Sequence, residues 1–387
     1  MKKIILSIFI LSVSISVFAF NFGGILSTTS YVQDSVSNLS FNQYVETSLW
    51  MRANFGKNTT FSADIFYSFN GDFANKSELN VGKTSSFLNK LDISSLKLTS
   101  KFYLKSGTID LSLGRFLIND FSGSVFAQKL DALALGFVNQ SFVLKCYTGY
   151  TGLLNYYTVS MYSPKFIPEA NPIYTFATPY IVANVSAKFP VLFASQNLGV
   201  ELYTAIDAKN FEYNRIFSAL SFDGPIYKSL YYAFTSTYQF NLGSYPEKHS
   251  WGNLTKAEIS WFTGIYSLIL SANVLYVSDS FTPISTVDVL TDGSNLDSVF
   301  KTGFLASIKP IESLFLSLGS DFVFDVTDNN NVQNYKGFQY SALVRYELFD
   351  DVLLNVSASQ LFYNQQNPVY QNQEPYLTLK AHIRISF

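Results

Sequence analysis

Three regularly spaced lysines are the first residues in this sequence that could act together on a ligand. Lys97, Lys101 and Lys105 recur at every fourth position, and the alternation of polar and apolar residues around them predicts a β-strand that carries all three on one face. At a rise of roughly 3.3 Å per residue, successive ammonium groups lie about 13 Å apart along the strand. Such a ladder of positive charge would attract anions that move along this face.

The sequence has few of the side chains on which catalysis or metal binding usually depends. Its 387 residues include two histidines, His249 and His382, and a single cysteine, Cys146, which excludes an intramolecular disulfide or a CxxC site. No GxSxG, HExxH, EF-hand or complete phosphate-loop pattern occurs. The formal net charge of −2 gives no basic surface for nucleic acid. We therefore expect neither an enzyme nor a nucleic-acid-binding protein, and no metal or other cofactor.

Apolar and polar residues alternate with a period of two along most of the chain. Aromatic residues make up 17% of the sequence and charged residues only 14%. This pattern predicts an all-β protein of eighteen antiparallel strands, with sixteen as the alternative count. The predicted strands span residues 22–32, 41–55, 60–70, 93–105, 108–118, 130–138, 141–150, 180–189, 197–208, 214–223, 228–240, 253–263, 266–277, 299–309, 313–325, 336–347, 352–363 and 374–387.

Short and long connections alternate between these strands. Tight turns such as Ser106-Gly107 and Gly264-Ile265 alternate with polar loops, of which residues 151–179 form the longest. An even number of strands with short turns at one end and long loops at the other is typical of a transmembrane β-barrel. Aromatic residues cluster near both strand ends, where they form either two membrane girdles or the ordinary packing of a soluble sandwich. In a membrane barrel the first and last strands must pair, because lipid cannot satisfy a free edge.

The C-terminal strand carries the sharpest family resemblance. Apolar residues stand at every second position from Leu377 to Ile385, and the chain ends on Phe387. In this strand and in its whole architecture, the sequence resembles bacterial outer-membrane β-barrel porins. The resemblance implies a water-filled channel for passive diffusion of small hydrophilic solutes. It also implies contact with outer-membrane lipid, recognition of Phe387 by the barrel-assembly machinery, and either a monomer or a homotrimer.

The phase of the alternation predicts which residues line the pore, because the apolar face of a membrane barrel meets lipid and the polar face meets the lumen. The predicted pore-lining residues are Lys97, Lys101, Lys105, Lys145, Lys188, Arg215, Arg345, Lys380, Arg384, Asp110, Glu201 and Asp321. Bases outnumber acids in this set, which predicts a mild preference for anions. Alternatively, these charges form ion pairs across neighbouring strands, and they hydrate the lumen without selecting among ions.

An inward-folded loop must narrow the channel if it is to select among solutes, because a barrel of eighteen strands is wide enough to hold water. The longest loop, residues 151–179, is the favoured candidate because it is rich in aromatic residues. Its candidate constriction residues are Tyr156, Tyr157, Tyr162, Phe166 and Tyr174. Residues 119–129 are the alternative, because they form the third long loop, the position that constricts many of the porins that the chain resembles.

The N-terminus has the pattern of a secretory signal peptide. Lys2 and Lys3 precede an apolar run at residues 4–18, and Ala19 ends a plausible cleavage site. Residues 20–387 are then expected to form a single barrel domain in the outer membrane. Two alternatives to a porin are an adhesin or structural barrel that binds a partner through its long loops, and a carrier of hydrophobic solutes.

Overall fold

The computed structural model describes residues 20–35, 38–75, 86–155, 159, 176–209, 211–243, 251–285, 298–326 and 332–387. These residues form one sheet of eighteen antiparallel strands. The strands are β1 (Phe20–Ser35), β2 (Asn38–Phe55), β3 (Thr59–Asn75), β4 (Ser86–Leu104), β5 (Gly107–Asn119), β6 (Ala127–Val138), β7 (Val143–Tyr150), β8 (Tyr180–Phe193), β9 (Gln196–Asp207), β10 (Arg215–Tyr227), β11 (Leu230–Asn241), β12 (Trp251–Phe262), β13 (Ile269–Val277), β14 (Val299–Ile311), β15 (Leu314–Val326), β16 (Val332–Phe349), β17 (Val352–Tyr363) and β18 (Tyr376–Ser386). One turn of 3-10 helix, Phe211–Tyr213, precedes β10.

The sheet closes on itself as a barrel. Each strand pairs with its neighbours in sequence, and β1 also pairs with β18 in a register that runs from Ile25 opposite Ser386 to Asp34 opposite Leu377. Phe387 continues this pairing, since its backbone N–H donates to the Gly24 carbonyl at 2.9 Å and its carbonyl accepts from the Gly24 N–H at 2.7 Å. The predicted closed antiparallel barrel and the count of eighteen strands are confirmed.

Most strand boundaries agree with the sequence prediction to within a few residues, and the main exception lies between β3 and β4. The predicted loop at residues 71–92 is shorter than expected, because β3 continues to Asn75 and β4 begins at Ser86. Asp72 pairs with Ser86 through the backbone. At this end of β4, Phe87, Leu91 and Ile93 face outward, but a register shift at Ser94 puts them out of phase with Leu96 and Leu98, which interrupts the period-two pattern.

The outer face of the barrel is apolar. Leu113, Leu202, Phe304 and Leu318 point outward from four different strands, and each side chain is more than half exposed. An exposed apolar band around a closed barrel is the surface of a membrane-inserted protein. Within the described residues, no helix has the length and hydrophobicity needed to cross a membrane. Residues 1–19 lie outside the described residues, so the signal peptide stays a prediction.

The strands β4 and β5 separate from each other near their outer ends. Backbone pairing between these strands ends at Leu96 and Arg115, and from there β5 continues to Asn119 paired with β6 alone. Gly114 marks the division with a φ of +117°, and a β carbon at this position would lie 2.0 Å from the Leu96 carbonyl oxygen. Only glycine fits such a close approach of two backbones.

Arg115 of β5 links β4 and β6 where β4 and β5 have separated. Its guanidinium donates to both carboxylate oxygens of Asp131, at 2.9 and 3.0 Å, and to the Ile93 carbonyl at 3.3 Å. Nearby, the ammonium group of Lys129 on β6 lies 5.8 Å from the centre of the Phe66 ring, which is buried on the inner face of β3. The outer ends of β5 and β6 therefore lie inside the wall of β3 and β4, and they direct the following residues into the lumen.

Candidate functional site

The residues between β5 and β6 (120–126, the first inward segment) fold into the barrel around a buried carboxylate. Asp120 accepts hydrogen bonds from the backbone N–H groups of Ser122 at 2.9 Å, Val125 at 3.3 Å and Phe126 at 2.9 Å. Burial raises the pKa of the Asp120 carboxyl, and these hydrogen bonds oppose that effect. Asp120 thereby fixes the segment as a compact turn.

The first inward segment reaches the opposite part of the wall. The Phe121 N–H donates to the Glu201 carboxylate of β9 at 2.9 Å, and the Asn184 side chain of β8 donates to the same carboxylate at 2.7 Å. Lys256 of β12 hydrogen-bonds the Ser124 hydroxyl. The segment therefore spans the lumen from β5 to the inner faces of β9 and β12.

The residues after β13 (278–285, the second inward segment) also fold into the barrel. Arg215 of β10 donates to the carbonyls of Thr282 at 2.7 Å and Pro283 at 3.1 Å. Gln239 of β11 accepts from the Thr282 N–H at 2.8 Å and donates to the Ser280 carbonyl at 3.3 Å. Two inner-face side chains thus hold the backbone of this segment against the wall.

A glycine lets the second inward segment approach the wall closely. A β carbon at Gly252 of β12 would lie 2.7 Å from the backbone nitrogen of Phe281. The Phe281 ring packs edge-to-face on Phe217 of β10 with ring centres 6.2 Å apart, and both rings are buried. Any larger residue at position 252 would displace the segment from this packing.

The two inward segments join each other inside the barrel. The Val125 carbonyl accepts from the N–H groups of Ile284 at 2.8 Å and Ser285 at 3.1 Å, and the Ser285 hydroxyl accepts from the Ala127 N–H at 2.8 Å. Val125 and Ile284 are both fully buried. The joined segments cover the inner faces of β9 to β12 and, within the described part of the chain, we take them as the candidate constriction.

A cavity of about 550 Å³, which we name the lysine chamber, lies between the first inward segment and the wall of β4 to β9. Lys97 of β4, Lys145 of β7 and Lys188 of β8 line it. The Lys97 ammonium group lies 4.8 Å from the centre of the Phe116 ring, and that of Lys188 lies 4.6 Å from the Phe121 ring. The aromatic rings hold these two cations at the chamber surface without neutralising them.

The lysine chamber also contains buried hydrogen-bonding atoms that have no partner among the described residues. These are one carboxylate oxygen of Asp110, the hydroxyl of Tyr147 and the side-chain carbonyl of Asn184. Buried polar atoms without partners are costly unless a solute or water satisfies them. The chamber therefore offers acceptor atoms to water or to a solute that carries hydrogen-bond donors.

A second cavity of about 440 Å³ borders the first inward segment on the side of β11 to β16. Lys256, Glu258, Lys301 and Asp321 line it. Lys301 and Asp321 form an ion pair at 3.6 Å. This ion pair is what the alternative of cross-strand pairing predicts, and the lysine chamber also contains acids, Asp110, Asp120 and Glu201, beside its three lysines.

The predicted three-lysine ladder is only partly present. Lys97 lines the chamber, and Lys101 lies directly opposite Asp110 in the pairing of β4 with β5. Lys105 was predicted on the same strand, but β4 ends at Leu104 and Lys105 belongs to the turn that follows. Lys105 and Ser106 form the tight turn between β4 and β5, so Lys105 is not part of the row of lysines along the strand.

The remaining predicted bases, Arg345, Lys380 and Arg384, lie on the inner faces of β16 and β18. Arg345 of β16 donates to the Asn355 side chain at 3.1 Å. Lys380 and Arg384 lie on the same face of β18 as His382, opposite the outward-facing Leu379 and Ile383. None of the three bases lines the lysine chamber.

Arg215 and Glu201 lie on the inner face as predicted, but the inward segments cover them. They are 3% and 2% exposed, and both anchor loop backbone. The five aromatic residues favoured for the constriction lie outside the described residues, so their role stays a prediction: Tyr156, Tyr157, Tyr162, Phe166 and Tyr174. The alternative segment, within residues 119–129, is described by the structure and lies in the lumen.

Sequence reasoning missed the second inward segment. Its apolar residues Phe281 and Ile284 stand within an otherwise polar loop, three positions apart, and this is the signal that could have indicated burial. Among the described residues, no cluster of three or more His, Cys, Asp or Glu side chains could hold a metal ion.

The architecture of a closed eighteen-strand barrel with inward segments is that of outer-membrane porins. The chain is similar in structure to three porins of Pseudomonas aeruginosa: OccK7 (OpdD), with a TM-score of 0.62 at 9% identity; OpdQ, with 0.61 at 8%; and OpdK solved with vanillate, with 0.59 at 8%. Each comparison covers 95% of this chain and 98% of the other. No protein-family model matches the sequence, and no curated protein matches it significantly. At this identity the likeness is one of fold, and it agrees with the porin-like architecture expected from the sequence.

Proposed function

We propose that this protein is an outer-membrane porin whose water-filled channel passes small hydrophilic solutes by passive diffusion, with a mild preference for anions. The lysine chamber beside the constriction carries this proposal. Three lysines and three acids line this cavity: Lys97, Lys145, Lys188, Asp110, Asp120 and Glu201. The Asp120 and Glu201 carboxylates accept hydrogen bonds from the backbone of the first inward segment, whereas the Lys97 and Lys188 ammonium groups rest on aromatic rings. Basic residues at a narrow part of a pore lower the electrostatic barrier for anions.

The structural likeness supports a transport role rather than catalysis, since the similar proteins are porins. One of them, OpdK, was solved with vanillate, which is a small carboxylate. By analogy, small organic anions are the solutes that the chamber would admit most readily. The proposal also includes export through a signal peptide cleaved after Ala19, and insertion by the barrel-assembly machinery.

The proposal is tested by reconstituting the mature protein in planar lipid bilayers. A porin gives stepwise increases in conductance, and a mild anion preference moves the reversal potential under a KCl gradient toward that of chloride. Absence of conductance steps from correctly folded protein would contradict the channel. A reversal potential on the potassium side would contradict the anion preference while leaving the channel intact.

A further inference from the structure

The loop between β17 and β18 (residues 364–375, the amide loop) has an unusual composition. Seven of its twelve residues are asparagine or glutamine, and its only charged residue is Glu374. An amide side chain has both a hydrogen-bond donor and an acceptor, so it can donate to a hydroxyl group or accept from one. The loop lies at the end of the barrel that carries the long connections, which is the extracellular end of a porin.

Some of these amides build the loop itself. The Asn364 side chain accepts from the Gln366 N–H at 3.1 Å, and that of Asn367 accepts from the Val369 N–H at 3.0 Å. The Gln365 side chain donates to the Gln373 carbonyl at 2.7 Å and ties the two halves of the loop together. These contacts give the loop a fixed shape.

A tyrosine anchors the loop to the barrel. Tyr370 stacks on Tyr363 with ring centres 5.7 Å apart, and its hydroxyl donates to Asp325 of β15 at 2.7 Å. The loop is therefore held over the barrel rim, and a cleft on its other side has a defined surface.

Four of the amides, Gln365, Gln371, Asn372 and Gln373, line that cleft, which has a volume of about 520 Å³. Gln371, Asn372 and Gln373 are exposed there, together with Phe362 and Glu374. The described lining contains no lysine or arginine. An anionic group would meet the Glu374 carboxylate with no cation to compensate, so the cleft suits an uncharged ligand with many hydroxyl groups.

The position of Phe362 places this amide cleft at the membrane surface. Phe362 is 41% exposed on the outer face of β17, and its ring lies 5.9 Å from that of Tyr340 on β16. Aromatic residues at the ends of barrel strands lie at the level of the lipid headgroups. A ligand in the cleft would therefore contact the outer wall at the height of the outer-leaflet headgroups.

We propose that the amide cleft binds the uncharged sugar headgroup of an outer-leaflet glycolipid. The amides of Gln371, Asn372 and Gln373 hydrogen-bond the sugar hydroxyls, and the exposed ring of Phe362 packs against the apolar face of the sugar or the first part of its lipid chain. The site lies outside the lumen, so it does not depend on what the channel conducts.

Native mass spectrometry of the mature protein tests this proposal, with dodecyl maltoside as the probe and dodecyl hexaethylene glycol ether as a control of equal chain length. The wild type should retain a tightly bound dodecyl maltoside under conditions that strip the ether. The double variant Gln371→Ala/Gln373→Ala should lose that molecule. The control variant Gln366→Ala removes an exposed amide of the same loop that lies outside the cleft lining, so this variant should retain the bound dodecyl maltoside. All variants should keep the wild-type conductance, which shows that the barrel is folded.

Two results would overturn the inference. Equal retention of maltoside and ether, or unchanged retention by the double variant, would show that the cleft does not recognise sugar. Displacement of the bound molecule by free maltose at comparable concentration would show that the lipid chain contributes nothing, and it would overturn the glycolipid as the source. Neither result bears on the channel, whose failure would appear only in the conductance.

Discussion

The carbonyl of Val125 accepts the N–H of Ile284 at 2.8 Å, and this hydrogen bond joins two loops that are far apart in sequence. Neither loop crosses the lumen as an independent plug. The first inward segment holds its shape through Asp120, and the second is held to the wall by Arg215. The width of the channel therefore depends on both sets of contacts, which can be perturbed separately.

Replacing Arg215 should widen the channel. In Arg215→Met the carbonyls of Thr282 and Pro283 lose their donor, and a hydrogen bond to a charged group contributes about 1.5–3 kcal/mol. The second inward segment should leave the wall more often, so single-channel conductance should rise. Arg345→Met is the matched control, because Arg345 contacts Asn355 away from the constriction. Equal conductance of Arg215→Met and wild type would show that other contacts hold the segment.

Loss of the Asp120 carboxylate should loosen the first inward segment. Asp120→Ala removes the acceptor of the Ser122, Val125 and Phe126 N–H groups and leaves these donors buried. We expect larger and noisier single-channel currents, measured at constant voltage. The control is Asp223→Ala, because Asp223 contacts Asn197 on the exposed periplasmic part of the wall. Quiet wild-type currents from Asp120→Ala would rule out this role.

A side chain at position 252 should displace the second inward segment. In Gly252→Val the new β carbon would meet the Phe281 backbone at 2.7 Å, a distance that requires the segment to move. We expect a changed conductance and a lower unfolding temperature in detergent. Gly136→Ala should change neither, because the nearest atom to its added carbon is the Asp110 β carbon at 3.6 Å. Similar behaviour of the two variants would contradict the close packing at position 252.

Reversing the charge of the chamber should shift ion selectivity. In Lys97→Glu/Lys145→Glu/Lys188→Glu the cavity, lined by three lysines and three acids, becomes entirely acidic, so the reversal potential under a KCl gradient should move toward potassium. Lys105→Glu alters the same strand end outside the chamber and should have little effect, because charges beyond about 8 Å are screened at physiological salt. An unchanged reversal potential in the triple variant would assign selectivity to another part of the channel.

The side chain of Phe387 should matter for assembly independently of its backbone. Phe387 exchanges two backbone hydrogen bonds with Gly24, so deleting the residue removes both pairing and the side chain. Phe387→Asp keeps the backbone, and Phe387→Leu keeps the apolar character. We expect outer-membrane levels to fall in Phe387→Asp and to stay near wild type in Phe387→Leu, as measured by immunoblots of membrane fractions. Normal levels of Phe387→Asp would exclude an assembly signal in this side chain.

The sequence by itself determined the strands, their inward and outward faces and the closure of the barrel. Period-two alternation is a local property, because each strand must present apolar residues to lipid and polar residues to the lumen. Alternation therefore predicts the outward face of β18, from Leu377 to Ile385, and it predicts Lys97 and Lys188 in the pore; both lysines line the lysine chamber. The same reasoning fails for Lys105, where a turn begins one residue after the strand ends.

Only the tertiary structure decided which loops enter the lumen. Phe121 binds Glu201 across 80 residues of sequence, and Ala127 binds Ser285 across 158. No local pattern records such contacts, and the prediction from loop length and aromatic content, for residues 151–179, concerns residues that lie mostly outside the described part of the chain. Arg215 and Glu201 show the consequence, because alternation places them in the pore while long-range hydrogen bonds bury them under loop backbone. Arg215 and Glu201 therefore act as anchors for loop backbone, because the closed barrel brings the inward segments into contact with them.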